Sequence, residues 1–102
     1  MLQYIQTYIR IRRVIFMKVV SKSLDMICHF NSDGVHPIKF RYSEDNGSEK
    51  VIKVDRVISK NMERLCGNNA LIFDCQSYIN GIERLYQLKF IIGECKWLLW
   101  KM

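Results

Sequence analysis

The dipeptide Asn80-Gly81, which lies between two runs rich in apolar residues, constrains the fold of this chain more than any other feature. A two-residue type I′ turn requires φ > 0 at both central positions, and Asn followed by Gly meets that requirement well. We therefore predict a β-hairpin over residues 71–90 with Asn80 and Gly81 as its loop.

This loop sets the register of the hairpin, with one apolar face and one mostly polar face. The pairs predicted on the apolar face are Leu71 with Phe90, Phe73 with Leu88, Cys75 with Tyr86 and Ile79 with Ile82. The pairs predicted on the other face are Ile72 with Lys89, Asp74 with Gln87, Gln76 with Leu85 and Tyr78 with Glu83. A slip by one residue would set apolar residues opposite polar ones, so the pattern itself fixes the register.

A second turn is predicted at Gly93-Glu94, which has the Gly-X form of a type II′ loop. The pairs predicted across it are Phe90 with Trp97, Leu88 with Leu99 and Gln87 with Trp100. Turn chemistry and alternation therefore agree on a three-stranded meander that shares one buried face.

The first half of the chain predicts further strands. One covers residues 24–31, and the next is opened by Pro37, with Ile38, Phe40 and Tyr42 on one side. A third covers residues 50–58 with Ile52 and Val54 inward. These short strands and tight turns predict a mostly β fold: a small antiparallel meander or partly closed barrel of about six strands with at most one short helix.

The alternation breaks after Asp55, where apolar residues recur at helical spacing up to Cys66, and Gly67 follows as a residue typical of helix ends. We predict a strand to about Ile58, then a bulge and one short helical turn. The alternative is a longer helix over residues 55–66.

Residues 1–16 stand apart, because their apolar run is interrupted by three arginines and so fits neither a transmembrane helix nor a secretory signal. Arg12-Arg13 can be encoded by two AGG codons, which spell a ribosome-binding site ahead of Met17. We predict that 1–16 is an untranslated leader or a disordered extension, and that 17–102 is a single β-rich domain. A basic interfacial helix and an extra strand are the alternatives.

The net charge of the 102-residue chain is +6, but without the three arginines of residues 1–16 thirteen basic residues face ten acidic ones, a net of +3. This mild excess is not typical of a dedicated nucleic-acid-binding protein. The four cysteines, Cys28, Cys66, Cys75 and Cys95, form no C-x-x-C motif. We therefore predict reduced cysteines in a cytoplasmic protein, with a disulfide framework or zinc site as the alternative.

Several motifs from Pro37 onward resemble a group of small uncharacterised bacterial proteins. They are Pro37-Ile38 with Phe40, IKVDRVIS from Ile52, Gly67-Asn68, FDCQSYING from Phe73, RLYQLKF from Arg84 and CKWLL from Cys95. Their order also resembles a short β-rich domain of unknown function at the end of some bacterial proteins related to translesion DNA polymerases. The resemblance implies the β-rich fold and a start near Met17, and it implies no catalytic residues.

No residue pattern in the chain is typical of an enzyme or of a cofactor site. His29 and His36 belong to no metal or nucleophile motif, and Cys28 and His29 point to opposite faces of a strand. The cysteines lack the close sequence pairs of structural zinc sites. We predict no enzymatic activity, no metal and no cofactor.

A binding face is predicted on the side of the meander away from the core. Its residues are Trp100, Tyr78, Lys89, Lys96 and Gln87. Aromatic rings with lysines suit single-stranded nucleic acid, because rings stack on bases while lysines hold phosphates. We predict a binding module for nucleic acid, or alternatively for a protein partner or a second copy of the chain, and no membrane contact. The competing interpretation is that Trp100 and Tyr78 pack against the N-terminal strands.

Overall fold

The computed structural model describes residues 17–65 and 67–102, which form one seven-stranded antiparallel sheet. Its strands are β1 (Val19–Asn31), β2 (Gly34–Ser43), β3 (Glu49–Lys53), β4 (Arg56–Leu65), β5 (Asn68–Ile79), β6 (Ile82–Ile91) and β7 (Lys96–Lys101). Their order in the sheet is β3-β2-β1-β7-β6-β5-β4, so the consecutive strands β3 and β4 occupy opposite edges. The sheet curls into a half-barrel, which confirms the predicted mostly β class. The predicted leader, residues 1–16, lies outside the described residues.

The hairpin of β5 and β6 has the predicted register at every position. All eight predicted pairs, from Leu71 with Phe90 to Ile79 with Ile82, are cross-strand partners. Asn80 and Gly81 have φ values of 53° and 77°, as a type I′ loop requires. The turn chemistry and the alternation of the sequence were therefore sufficient to define this element.

The connection between β6 and β7 is not the predicted type II′ turn. It is a 3₁₀ turn over Ile92–Glu94, followed by Cys95 in the left-handed conformation with φ of 49°. The longer loop keeps the predicted partners of Trp97 and Leu99, which are confirmed. The register then shifts by one residue, so Gln87 lies opposite Lys101 and the predicted pair of Gln87 with Trp100 is wrong.

The predicted strand over residues 50–58 is wrong, because it is divided between β3 and β4, which lie at opposite edges of the sheet. The segment from Arg56 onward is a strand, so both helical predictions are wrong for residues 56–65. Its pairing with β5 shifts between Val57 and Ser59, which leaves Ile58 as an extra residue. A β-bulge reverses the alternation of side chains along a strand. This reversal produced the spacing that resembled a helix.

The prediction for β2 is wrong at Pro37 and Ile38, because the strand contains a second bulge. Pro37 lies inside the strand instead of opening it, and the register with β1 shifts so that Ile38 is the extra residue. Ile38 is therefore 44% exposed and does not share the inner face of Phe40 and Tyr42. Proline is tolerated at this place because β3 pairs with β2 only from Lys39 onward.

The inner face of the half-barrel holds the hydrophobic core. Its buried residues are Phe40, Ile52, Phe73, Cys75, Tyr86, Leu88, Phe90, Trp97 and Leu99. They include seven of the ten residues predicted on the apolar face of β5, β6 and β7. Of the other three, Leu71 and Ile79 pack against the core, while Ile82 is 63% exposed. The side chains of Val54 and Tyr42 pack against this core from the first half of the chain.

Val54 and Asp55 connect β3 to β4, the two edge strands of the sheet. We call the junction at these two residues the clasp. Its hydrogen bonds run from Val54 N to Ile38 O (2.8 Å), from Asp55 N to Gln76 O (3.1 Å), from Ser77 Oγ to Lys53 O (2.6 Å) and from Tyr78 N to Asp55 Oδ2 (2.8 Å). The clasp therefore brings the end of β3, the start of β4 and the end of β5 side by side.

Candidate functional site

Trp100 and Lys89, two of the predicted site residues, are in contact on the outer side of the sheet. The Nζ atom of Lys89 lies 4.2 Å from the centroid of the Trp100 ring, a cation–π arrangement. The same Nζ lies 3.2 Å from Oε1 of Glu63 on β4, and both side chains are largely shielded from solvent. The charge of Lys89 is therefore already matched within the protein.

Gln87 belongs to a polar network on the same outer side. Its Nε2 donates to Oδ1 of Asp74 (2.7 Å), and the Ser59 hydroxyl donates to Oδ2 of the same carboxylate (2.6 Å). We use the name β5–β7 face for the outward side chains of Ser59, Glu63, Asp74, Gln87, Lys89 and Trp100. A phosphate that approached this face would meet two carboxylates.

Tyr78 and Lys96 are separated from the other predicted site residues. Tyr78 lies four residues beyond Asp74 on β5, and Lys96 lies four residues before Trp100 on β7, roughly 13 Å apart in each case at the usual rise of a strand. Tyr78 is 64% exposed and lies at the clasp. The structure therefore brings together Trp100, Lys89 and Gln87 but not all five residues.

A second outer surface, which we call the wing face, covers β1, β2 and β3. It consists of Asp25, Ile27, Ile38, Lys39, Arg41, Val51 and Lys53. Ile27 is 63% exposed and Val51 is 57% exposed, and a cleft of about 350 Å³ runs between them. Adjoining exposed aliphatic residues beside cations are typical of a contact surface.

The wing face differs from the β5–β7 face in the pairing of its charges. Nη2 of Arg41 lies 2.8 Å from Oδ2 of Asp25 in an exposed ion pair. Lys39 lies opposite Lys53, and Arg56, the first residue of β4, lies opposite Gln76, whose carbonyl oxygen accepts from the clasp residue Asp55. Among residues 17–65 and 67–102, no carboxylate lies within 4.0 Å of these last three cations. We call Lys39, Lys53 and Arg56, together with Tyr78, the basic row.

The sequence analysis did not predict a binding surface on the wing face. The signal was present, because a strand with Ile52 inward must direct Val51 and Lys53 outward together. The sequence did not show that Lys53 lies near Tyr78 of β5, because this proximity depends on the hydrogen bonds of the clasp.

The thiols of Cys28 and Cys75 are poor nucleophiles. Burial raises the pKa of Cys75 to about 12 and also raises the pKa of Cys28, so both stay protonated near neutral pH. Cys28, Cys75 and Cys95 are free cysteines. The rings of His29 and His36 lie 6.3 Å apart across β1 and β2. In the described part of the chain, no three His, Cys, Asp or Glu side chains are grouped to hold a metal ion.

The described residues thus define a small antiparallel half-barrel in which Lys89 has a carboxylate partner on one outer face and Lys39 and Lys53 have none on the other. Comparisons with protein-family models, curated proteins and solved structures gave no match to this chain. The bacterial resemblance and the cytoplasmic location therefore stay predictions. Over the described ranges, no helix has the length and apolar character needed to cross a membrane.

Proposed function

We propose that this protein is a non-enzymatic module that binds single-stranded nucleic acid along the basic row. The observation that carries the proposal is a set of three cations, Lys39, Lys53 and Arg56, with no carboxylate within 4.0 Å among the described residues. They lie on β2, β3 and β4, and the clasp joins β3 and β4 to the end of β5, where the side chain of Tyr78 is exposed. Lysine and arginine neutralise phosphates, while an exposed ring stacks on a base. These are the two contacts that a single strand requires.

The ligand is of the predicted class, but it binds at the basic row and not at the predicted face of Trp100, Lys89 and Gln87. Lys89 is already bound to Glu63 and Gln87 to Asp74, and the ring of Trp100 lies against Lys89. Lys96 lies at the start of β7, so Tyr78 is the predicted residue that belongs to the basic row. Two carboxylates lie beside Tyr78 in the basic row: Asp55, which accepts its backbone N–H, and Glu83, its cross-strand partner on β6. We therefore expect weak binding that depends strongly on salt.

Fluorescence anisotropy with a labelled twelve-residue oligo(dT) tests the proposal. Three phosphate contacts on a single strand predict a slope of log K against log salt near −2, hence about twentyfold weaker binding at 200 mM than at 50 mM salt. Tyr78→Ala is expected to weaken binding about tenfold, because it removes the stacking ring, while Tyr78→Phe keeps the affinity. No binding at 50 mM salt, or equal affinity of Tyr78→Ala and the parent chain, would contradict the proposal.

A second candidate function is contact with a protein, either a partner or a second copy of the chain. It is favoured by the exposed side chains of Ile27, Ile38 and Val51 on the wing face. Sedimentation equilibrium of the full chain tests the case of a second copy. A dimer that Val51→Lys dissociates, together with no oligonucleotide binding, would replace the first proposal with this one.

A further inference from the structure

A cavity of about 430 Å³ opens at the end of the half-barrel where β1 begins and β7 ends. Its lining combines an apolar floor with a charged rim: Val20, Tyr42, Leu99 and Met102 below, and Lys22, Glu44, Asp45 and Asn46 above. The mouth of a curled sheet is a common place for small-molecule sites, and this volume lies within their usual range. The cavity is separate from the basic row, which lies on the outer surface.

Lys22 is the unusual residue of this cavity, because it is a charged side chain on the inner face of β1. Its cross-strand partner is the buried core residue Leu99, and it alternates with the inward residues Val20 and Leu24. Its side chain is only 28% exposed. An inward lysine on a half-buried strand loses hydration, and it gains correspondingly from an anion that enters the cavity.

The present partners of Lys22 are weak. Its Nζ lies 3.3 Å from Oδ1 of Asp45, but the Asp45 side chain is fully exposed, and exposed ion pairs contribute little. Its other contacts are a 3.5 Å hydrogen bond to the carbonyl oxygen of Ser43 and the ring of Tyr42, whose centroid lies 5.9 Å from Nζ. An incoming carboxylate can therefore replace Asp45 at the ammonium group, which leaves the carboxylate of Asp45 free.

The loop between β2 and β3 holds two carboxylates over the same cavity. Its shape is fixed by hydrogen bonds from Glu44 N to Ser48 O (2.8 Å) and from Gly47 N to Glu44 O (2.9 Å). Glu44 and Asp45 can thus receive a cation at the rim while Lys22 receives an anion. Burial, followed by the charge of Glu44, raises the pKa of Tyr42, so its ring stays neutral beside both groups.

We propose that this cavity binds a small zwitterion with an apolar body, the chemical class of free aliphatic amino acids. The carboxylate of the ligand contacts Lys22, its ammonium contacts Asp45 and Glu44, and its apolar body packs on Val20 and Met102. Charges of both signs on the rim distinguish this ligand from a simple anion, which the two loop carboxylates repel, and from a simple cation, which Lys22 repels.

Three compounds with the same branched body test the proposal: L-leucine, 4-methylpentanoate without the amine, and 3-methylbutylamine without the carboxylate. The full chain, labelled with ¹⁵N, is titrated with each while amide shifts are recorded. L-leucine is expected to bind at least about tenfold more tightly than either analogue, because each analogue lacks one charge-assisted contact. Its shifts are expected around Lys22, Tyr42 and the loop at residues 44–48.

Variants separate this site from general electrostatic attraction. Lys22→Met, which keeps the length of the side chain, is expected to reduce the affinity for leucine to that for 3-methylbutylamine. Lys96→Met removes the same charge at a distant exposed place and is expected to change nothing. Equal affinities for the three compounds, shifts outside the cavity, no binding of leucine at 50 mM, or equal loss in both variants would each overturn the proposal. Oligonucleotide binding by the same samples reports separately on the basic row.

Discussion

The β5–β7 face and the wing face are both outer surfaces of one sheet, and each carries lysine. They differ in whether the lysine side chains have a carboxylate partner among the described residues. On the β5–β7 face, Lys89 contacts Glu63, and Asp74 accepts two hydrogen bonds in a partly buried environment. On the wing face, Lys39 and Lys53 are exposed. The types of residue on a surface are therefore not sufficient to identify it as a binding surface. Polar groups that are paired and shielded stabilise the fold, while exposed unpaired groups remain available to a ligand.

The largest expected effect arises beneath the β5–β7 face, where burial raises the pKa of Cys75 from 9.0 to about 12. Because the folded thiol holds its proton to higher pH than the unfolded one, its contribution to stability is complete below pH 9 and is lost between pH 9 and 12. We expect the free energy of unfolding to fall by up to about 1.4 kcal/mol per pH unit in this window. Urea unfolding at pH 8, 9, 10 and 11 measures it.

Cys75→Ala is the control for this alkaline loss. Burial also raises the pKa of Tyr86, so some loss remains in the variant, but the slope is expected to be smaller than in the parent chain. Identical slopes in the two proteins would show that the Cys75 thiol does not titrate as its burial requires.

A second expected effect contrasts one carboxylate from each face. Asp74→Ala removes two hydrogen bonds to a charged group and leaves Gln87 and Ser59 without their partner, so we expect a loss of about 2–3 kcal/mol in the free energy of unfolding. Asp25→Ala breaks an exposed ion pair on the wing face and is expected to cost at most about 0.5 kcal/mol. Equal losses in chemical denaturation would remove the distinction between the two faces.

A smaller effect is expected for Glu63→Gln, which leaves the shielded ammonium of Lys89 without a carboxylate. We expect a loss of about 1 kcal/mol in thermal or urea unfolding, because the amide still offers an oxygen to Lys89. Glu49→Gln, at an exposed place on β3, is the matched control and is expected to stay within about 0.5 kcal/mol of the parent chain. A loss in the control as large as that in Glu63→Gln would refute the assignment of Glu63 as the partner of Lys89.

The smallest effect is expected for the double variant Lys39→Gln with Lys53→Gln. Both side chains are exposed, so the free energy of unfolding is expected to change by no more than about 0.5 kcal/mol. A much larger destabilisation in urea would mean that these lysines serve the fold and are not reserved for a ligand.

The elements that could be predicted from the sequence are those governed by local chemistry. Asn80 and Gly81 specify their turn wherever they occur between strands, and the register of β5 and β6 follows from it. The errors were at the turn between β6 and β7 and around three bulges, where Ile38, Ile58 and Trp100 are extra residues. A bulge near Ile58 was predicted, but the strand that continues beyond it was not. Each bulge changes the local twist between paired strands. Its effect on register therefore depends on the partner strand, which lies elsewhere in the sequence.

Prediction of the candidate site from the sequence was limited in the same way, by contacts between distant residues. The sequence analysis selected Lys89 and Trp100 from the correct face of β6 and β7, but the partner Glu63 lies 26 residues away from Lys89 on β4. Whether a lysine is paired depends on such distant contacts. Tyr78 was selected as well, and only the hydrogen bonds of the clasp show that it adjoins Lys53 and Arg56.

The most direct test of the account is the salt dependence of oligo(dT) binding in two double variants that remove the same charge. For Lys39→Gln with Lys53→Gln, the slope of log K against log salt is expected to shrink by about 1.4, because two phosphate contacts are lost. For Lys18→Gln with Lys96→Gln, both exposed and outside the basic row, the slope is expected to stay unchanged. An equal reduction in the two double variants would contradict the account, because binding would then follow net charge and not the lysines of the basic row.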